Sequence, residues 1–375
     1  MSILTNKAGA CYKGTVMKIA IALTDQSFAR TKSMGIFNVS MGLTRGLMKH
    51  PSVRELHILG NNECADVFAD APPHVHLHLM DKPVPRRFAR VWWDQFGVSA
   101  ATQKIAPDWL ILPKGFPPFF PCLGKTRMAC YVHDVIWEYY SELSKQGKNP
   151  FPRHENIYFR TLGLRALRKS DIVLTSTKFN ADRFRAHVPE CRTSVVGIGF
   201  APAIPSAQTP ENRAPGVLFF ASTFPHKLTS TGVQRLQTWL SQRKDAETVT
   251  IHCIGHLPEN LSISDVNWVR HGRVDSTTLD KLMKDECRVS VYFSAYEGFG
   301  MPPVESLRVG LPCVCSDIPP IRENIPAQYL FNNNDEADFV RVMNRTFDAD
   351  IPPICPTFST WDEVTKACVK ALQNA

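Results

Sequence analysis

Long apolar runs are missing from this chain: the longest, such as 109–113 and 217–221, fall far short of the roughly 20 residues that a membrane-crossing helix needs. A helical span is excluded on that ground. The first 16 residues carry Lys7 and Lys13 but no sustained apolar stretch, so no cleaved secretion signal is expected, and Met17 is an alternative native start. There is no CxxC pair and no Cys/His cluster at sequence spacing typical of zinc, and the eleven cysteines are an odd number. They are expected to be reduced, mostly buried thiols of a cytoplasmic protein. No segment has the composition of a disordered tail, and no nucleic-acid motif accompanies the basic residues.

What is present is a 375-residue chain, 44% apolar and 21% charged, long enough for two domains of under about 200 residues each. A formal charge of +8 and a pI near 8.9 favour anionic partners, without choosing among a phosphorylated substrate, an anionic lipid surface and nucleic acid. Short apolar strands at 18–23, 55–59, 75–79, 109–112, 128–132, 172–175 and 193–196 alternate with helical periodicity, as at 36–48 and 162–168. This is the pattern of a parallel sheet covered by helices on both faces. Prolines 202, 205, 210 and 215 then interrupt it amid Ala, Ser and Thr, which marks a domain boundary. The alternation restarts with strands at 217–221, 248–254, 268–270, 289–293 and 313–316. The expected organisation is an α/β protein of two facing Rossmann-like domains with a central cleft. Residues 17–201 form the first domain, 216–355 the second, and 356–375 a returning C-terminal helix.

The segment EGFGMPPVESLRVGLPCVCSD, from Glu297, follows one of these strands. Pro303 suits the first turn of a helix, Gly310 its left-handed cap, and Pro312 the stop. Gly298 and Gly300 let backbone N–H groups approach a ligand, and the positive end of the helix dipole favours a diphosphate. Glu297 can accept hydrogen bonds from sugar hydroxyls, and Glu305, placed in the first turn, from a ribose. A capping role for Glu305 would need Ser or Thr three residues earlier, where Pro302 stands.

This segment resembles the donor-binding signature of retaining family-4 glycosyltransferases, whose two glutamates are separated by seven residues, as Glu297 and Glu305 are. The similarity extends through the loop at Gly35, YVHDVIWE from Tyr131, SDIVLTSTKF from Ser170, VVGIGF from Val195 and FPHK from Phe224. The WDQ at 93–95 and the His133-Asp134 pair are most similar to bacterial mannosyltransferases of surface-polysaccharide assembly. The resemblance implies the GT-B architecture, an acceptor side in the first domain, a nucleotide-sugar donor side in the second, and no catalytic metal or other cofactor. It implies that Glu297 contacts the donor sugar, the amides of Gly298, Phe299, Gly300 and Met301 its hydroxyls or phosphates, and Glu305 the ribose. Val274, in HGRVDSTTL, matches the position whose backbone lies near the base. The stretch from Phe358, beginning FSTWDEV, resembles the helix that crosses back onto the first domain.

Without metal, charge on the leaving phosphate falls to protein groups. Lys227 is the expected cation, with a solvated surface lysine as the alternative. Ser222 and His226 stand where basic residues are usual in that family; a protonated His226 would compensate in part. His133 lies at the carboxyl edge of its strand, either reaching the sugar or merely hydrogen-bonded there, and Asp134 reads better as a cap than as a chemical group. Gly35 keeps one glycine of a usual pair, so it reads as a phosphate-side loop or an ordinary turn. Residues 86–93 interleave cations with aromatics, consistent with a solvated basic face over a buried aromatic one, or with peripheral attachment to the inner face of a membrane.

Catalytic roles are thus expected for Glu297, His133 and Lys227, in transfer of a sugar from a nucleotide donor to a glycan or lipid-linked acceptor. GDP-mannose is the leading donor. A catalytically weak nucleotide-sugar-binding subunit of a glycan-assembly complex and a sugar-nucleotide epimerase or phosphorylase on the same fold remain the alternatives.

Overall fold

The computed structural model describes residues 16–24, 34–79, 93–119, 121–202, 212–258, 267–349 and 356–375, with 206, 207, 209, 261, 263 and 354 between them. Its first sheet contains β1 (Met17–Leu23), β2 (Val53–Gly60), β3 (Val75–Leu79), β4 (Trp109–Leu112), β5 (Arg127–Tyr131), β6 (Ile172–Thr175) and β7 (Thr193–Val195), in the order β3-β2-β1-β4-β5-β6-β7. The second contains β8 (Gly216–Ala221), β9 (Thr250–Gly255), β10 (Trp268–Gly272), β11 (Val289–Tyr292), β12 (Cys313–Ser316) and β13 (Leu330–Phe331), in the order β10-β9-β8-β11-β12-β13. All these pairings are parallel.

Parallel strands need crossovers, and the intervening helices cover both faces, so the central strands are apolar on both sides. Trp109–Leu112, Ile172–Thr175 and Val289–Tyr292 are buried at every position. In each sheet the strand order reverses once, between β1 and β4 and between β8 and β11. A crevice opens at the carboxyl ends of such switch points, where open α/β sheets hold ligands. The loops that carry Lys227 and Glu297 leave strands that flank the reversal of the second sheet; Gly35, expected in a loop, lies instead in the first turn of the helix Met34–Lys49, which follows β1 at the reversal of the first.

The helix Trp361–Asn374 lies against the first domain. Its N-terminus is closed by a capping box between Thr360 and Glu363. Gly42 and Gly199 permit the contact, since a Cβ on either would fall 2.0 Å or 2.6 Å from Trp361. Val364, Cys368 and Leu372 share one core with Ile19 and Leu43 of the first domain and with Tyr292, Val304 and Leu307 of the second. Burial of this seam, at about 25 cal/mol per Å² of apolar surface, joins the two sheets below the cleft. The nine described cysteines are all free, and eight of them are buried. Among the described residues no helix is long and apolar enough to cross a membrane.

Candidate active site

The loop after β8 passes through a short turn, Pro225–Lys227, before Leu228 adopts φ 46° and the helix Thr229–Ser241 begins. That turn brings Lys227 over the end of β11. Its Nζ donates to Glu297 Oε1 at 2.6 Å and to Tyr292 Oη at 2.6 Å, and the Tyr292 hydroxyl donates to the same carboxylate oxygen at 2.6 Å. The two charged side chains are only 22% and 11% exposed, so their attraction is poorly screened. Burial by itself raises the Glu297 pKa; Lys227, His226 and the two hydrogen bonds outweigh it and hold the carboxyl below its ordinary range. Lys227 is therefore a paired cation within the cleft, not a solvated surface lysine.

Gly300, at φ 88°, turns the chain into the helix Met301–Arg308. Because the helix starts at Met301, Glu305 is its fifth residue and not part of the first turn, as the sequence reading had it. Pro302 and Pro303 lack N–H groups, so the helix start offers few donors of its own. The donors lie just before it: the backbone N–H groups of Gly298, Phe299, Gly300 and Met301 find no acceptor among the described residues. Phe299 and Gly300 are buried, and a buried N–H without an acceptor is costly. Glu305 likewise accepts no hydrogen bond from a described residue; burial raises its pKa, with Arg308 opposing.

The missing side chain of Gly298 serves domain contact. A Cβ there would lie 2.4 Å from the carbonyl oxygen of His133. The Gly298 carbonyl accepts from Asn180 Nδ2 at 2.8 Å and from the hydroxyls of Ser176 and Thr177, each at 3.2 Å. Asn180 Nδ2 also donates to His133 O at 2.8 Å. Glu323, from the second domain, accepts from the amides of Lys178 and Phe179 at 2.8 and 2.7 Å, at the positive end of the helix Lys178–His187. Ser176, Thr177, Asn180 and Glu323 are functional-site residues to which no sequence motif assigns a role. The legible signal was Thr177, a cap-type residue between a strand and a helix, whose hydroxyl accepts from Asn180 N.

His133 Nε2 donates to Pro113 O at 2.8 Å, and burial lowers the ring's pKa to about 4, so it is neutral at neutral pH. Its Nδ1 remains an acceptor. Asp134 accepts from Ile136 N at 3.0 Å, the local capping role, while burial first and Glu297 second push its pKa up to about 6. His226 departs from expectation. It is 7% exposed, its Nδ1 lies 2.8 Å from Tyr140 Oη, and burial with Lys227 beside it lowers its pKa to about 4. A protonated His226 does not compensate for the missing basic residue.

Gly35 faces Met301 across the cleft, with a Cβ position 3.3 Å from the methionine sulfur. Thus Gly35, His133, Lys227, Glu297, Gly298 and Met301 meet at one place. Ser222 lines a depression of about 180 Å³ bounded also by Thr229, Thr231 and Pro258. Val274, in the loop beyond β10, packs against the small apolar cluster that contains Leu218, Ile254 and Leu282. Asp94 and Gln95 are held by hydrogen bonds within the first domain: Thr24 Oγ1 donates to Asp94 at 2.6 Å and Phe119 N to Gln95 at 2.5 Å. Of the basic segment 86–93, all but Trp93 lies outside the described residues.

Residues 260–351 match the sequence model of a family described as glycosyl transferases group 1. No curated protein sequence matches the chain. Among solved structures, a lipopolysaccharide outer core galactosyltransferase, WaaB, is similar at 16% identity and TM-score 0.61, covering 96% of this chain and 98% of that one. Sucrose-phosphate synthase from Thermosynechococcus elongatus is similar at 14% identity and TM-score 0.63, with 95% and 94% covered. HepE from Anabaena, solved in complex with UDP and glucose, is similar at 15% identity and TM-score 0.57, covering 95% of each chain. These likenesses define the architecture: the chain has the GT-B fold, two Rossmann-like domains of parallel sheet.

Proposed function

We propose that the protein is a retaining glycosyltransferase that moves a hexose from a nucleotide-sugar donor to a hydroxyl of a glycan or lipid-linked glycan, without a divalent metal. The observation that carries this reading is the Lys227–Glu297 pair set beside four backbone N–H groups that lack acceptors, at the switch point of the second sheet. The group 1 match over 260–351 and the sugar-transferring neighbours support it.

A donor diphosphate brings about two negative charges, which compete with Glu297 for Lys227 and fill the open N–H positions. Glu297, released from the lysine, then accepts from donor-sugar hydroxyls and faces a centre that becomes cationic as the glycosidic bond breaks. The leaving phosphate accepts the acceptor's proton while Lys227 and the amides hold its charge. Glu305 accepts from the ribose, and neutral His133 offers Nδ1 to a sugar hydroxyl. The backbone at Val274 flanks the base, and Gly35 closes the phosphate side. The patterns at 93–95 and His133 favour GDP-mannose as donor.

Purified full-length protein should be assayed against GDP-mannose, UDP-glucose and UDP-galactose with and without excess EDTA. The reading expects one donor to support acceptor glycosylation that persists in EDTA. Complete loss, restored by magnesium or manganese, overturns the metal-free assignment; free sugar without transfer points to hydrolysis or epimerase-type chemistry. A second reading, a nucleotide-sugar-binding subunit with weak activity, is favoured by one observation: His226, where a basic residue is usual, is buried against Tyr140 rather than open to a diphosphate. Robust transfer by the isolated chain removes it.

A further inference from the structure

The outer strand pairs of the two sheets share an unexpected feature. Across β2 and β3, His57 Nδ1 lies 2.9 Å from His78 Nε2; across β9 and β10, His252 Nδ1 lies 3.0 Å from His271 Nε2. The first pair has more around it. Strand alternation puts Glu55 and His57 on one face of β2, and the parallel register places His76 directly beside His57. One ligand atom from each of Glu55, His57 and His76 lies within 4.8 Å of the other two, the only such group of three among the described residues. The second pair has no equivalent, and its neighbouring carboxylate, Glu286, is held by Lys281 at 2.5 Å.

We propose that Glu55, His57 and His76 bind a divalent transition-metal ion of the Zn²⁺ class, at the edge of the first sheet and apart from the cleft. Two imidazoles and a carboxylate are a donor set for such an ion, leaving a fourth position for water. His57 Nε2 lies 3.4 Å from Glu55 Oε2. Tetrahedral ligands about 2.0–2.1 Å from zinc are themselves about 3.3 Å apart, so this pair needs little movement, and His76, on an exposed edge strand, closes the rest of a group that spans up to 4.8 Å. The single proton shared by His57 and His78, placed on His57 Nδ1, leaves Nε2 with its lone pair for the ion. His78 then fixes the ring as an outer hydrogen-bond partner. His76 is exposed and the Glu55 side chain 32% exposed, so the ion enters from solvent. Two cations oppose it: Lys18 Nζ is 3.1 Å from Glu55 Oε2, and Arg54 Nε 3.4 Å from Oε1. The ion must displace Lys18 from the carboxylate. Once bound, it ties edge strand β3, which has no fully buried residue, to β2.

The test uses untagged full-length protein stripped by a chelator and titrated with Co²⁺, read by its visible ligand-field absorption, and with Zn²⁺ by calorimetry. One equivalent should bind, and the melting temperature should rise with Zn²⁺. His76→Ala, at an exposed position that leaves the fold intact, should abolish the four-coordinate Co²⁺ band and the thermal shift. His78→Ala should weaken binding by about 10- to 100-fold. Lys18→Ala should tighten it, and His252→Ala should change nothing. Absence of binding to the wild type, or a band that survives His76→Ala or responds to His252→Ala, overturns the site.

Discussion

The two sheets are built on one plan, yet their carboxyl ends present different chemistry to the cleft. Beside Asp134, the first offers neutral groups: the His133 ring and carbonyl, the hydroxyls of Ser176 and Thr177, and the Asn180 amide. The second offers charge and open donors: Lys227, Glu297, Glu305, and the N–H groups from Gly298 to Met301. Neutral hydrogen bonds hold distance and orientation with little desolvation cost, whereas paired buried charges respond strongly to any new charge that arrives. Under the proposed function this difference is a division of labour: the first domain grips the loop 297–301 of the second, and the second would meet the donor.

The largest expected effect comes from forcing the grip open. In Gly298→Ala the new methyl would stand 2.4 Å from a backbone oxygen that has no rotamer with which to yield. The cost should be about 1–3 kcal/mol of stability, with loss of turnover, in calorimetric melts and initial rates. A variant that melts and turns over normally would show that the close approach is dispensable. Next is Asn180→Asp, similar in size but unable to donate, which strands the carbonyl of His133, leaves that of Gly298 only the longer bonds from Ser176 and Thr177, and should cost about 1–3 kcal/mol. Nucleoside diphosphate affinity should change less than turnover, since the grip and the charge belong to different domains.

The smallest effect is electrostatic. Burial raises the Asp134 pKa from 3.8 to about 6, so the protonated form is favoured in the folded state. Its stabilising contribution is full below the unfolded value and is lost as pH rises through about 6. Asp134→Asn keeps the acceptor for Ile136 N and removes the titration. Relative to wild type, its melting temperature should rise between about pH 4 and pH 6, by the equivalent of on the order of 1 kcal/mol. Parallel curves would place the titrating group elsewhere.

The charged side of the cleft was the more legible in the sequence: Gly300 and Pro303 follow local rules, glycine where φ is positive and proline near a helix start, and Glu297 and Lys227 stand out through the family resemblance of their segments. The fold class was legible for the same reason, since apolar strands alternating with helices dictate a parallel sheet. Gly310 adopts φ 77°, as its place after the helix implied. The grip was not legible. Asn180, 118 residues from Gly298, and Lys178, 145 from Glu323, meet only through domain packing that no local pattern encodes. The state of His226 escaped for a related reason: its neutrality depends on burial beside Tyr140, and a sequence shows neither. The Glu55, His57 and His76 cluster is a third case, because period-two ligands on separate strands have no motif spacing and meet only through strand register.

The central claim is that the two glutamates of the donor loop serve different parts of one ligand, and calorimetry with the nucleoside diphosphate, paired with initial rates, tests it most directly. Glu297→Gln should leave nucleotide affinity nearly unchanged while turnover falls by about two orders of magnitude, because a charge beside a developing cation is lost. Glu305→Gln should instead weaken the nucleotide by about 1–3 kcal/mol. Loss of nucleotide binding in Glu297→Gln, with normal binding and turnover in Glu305→Gln, would contradict the assignment.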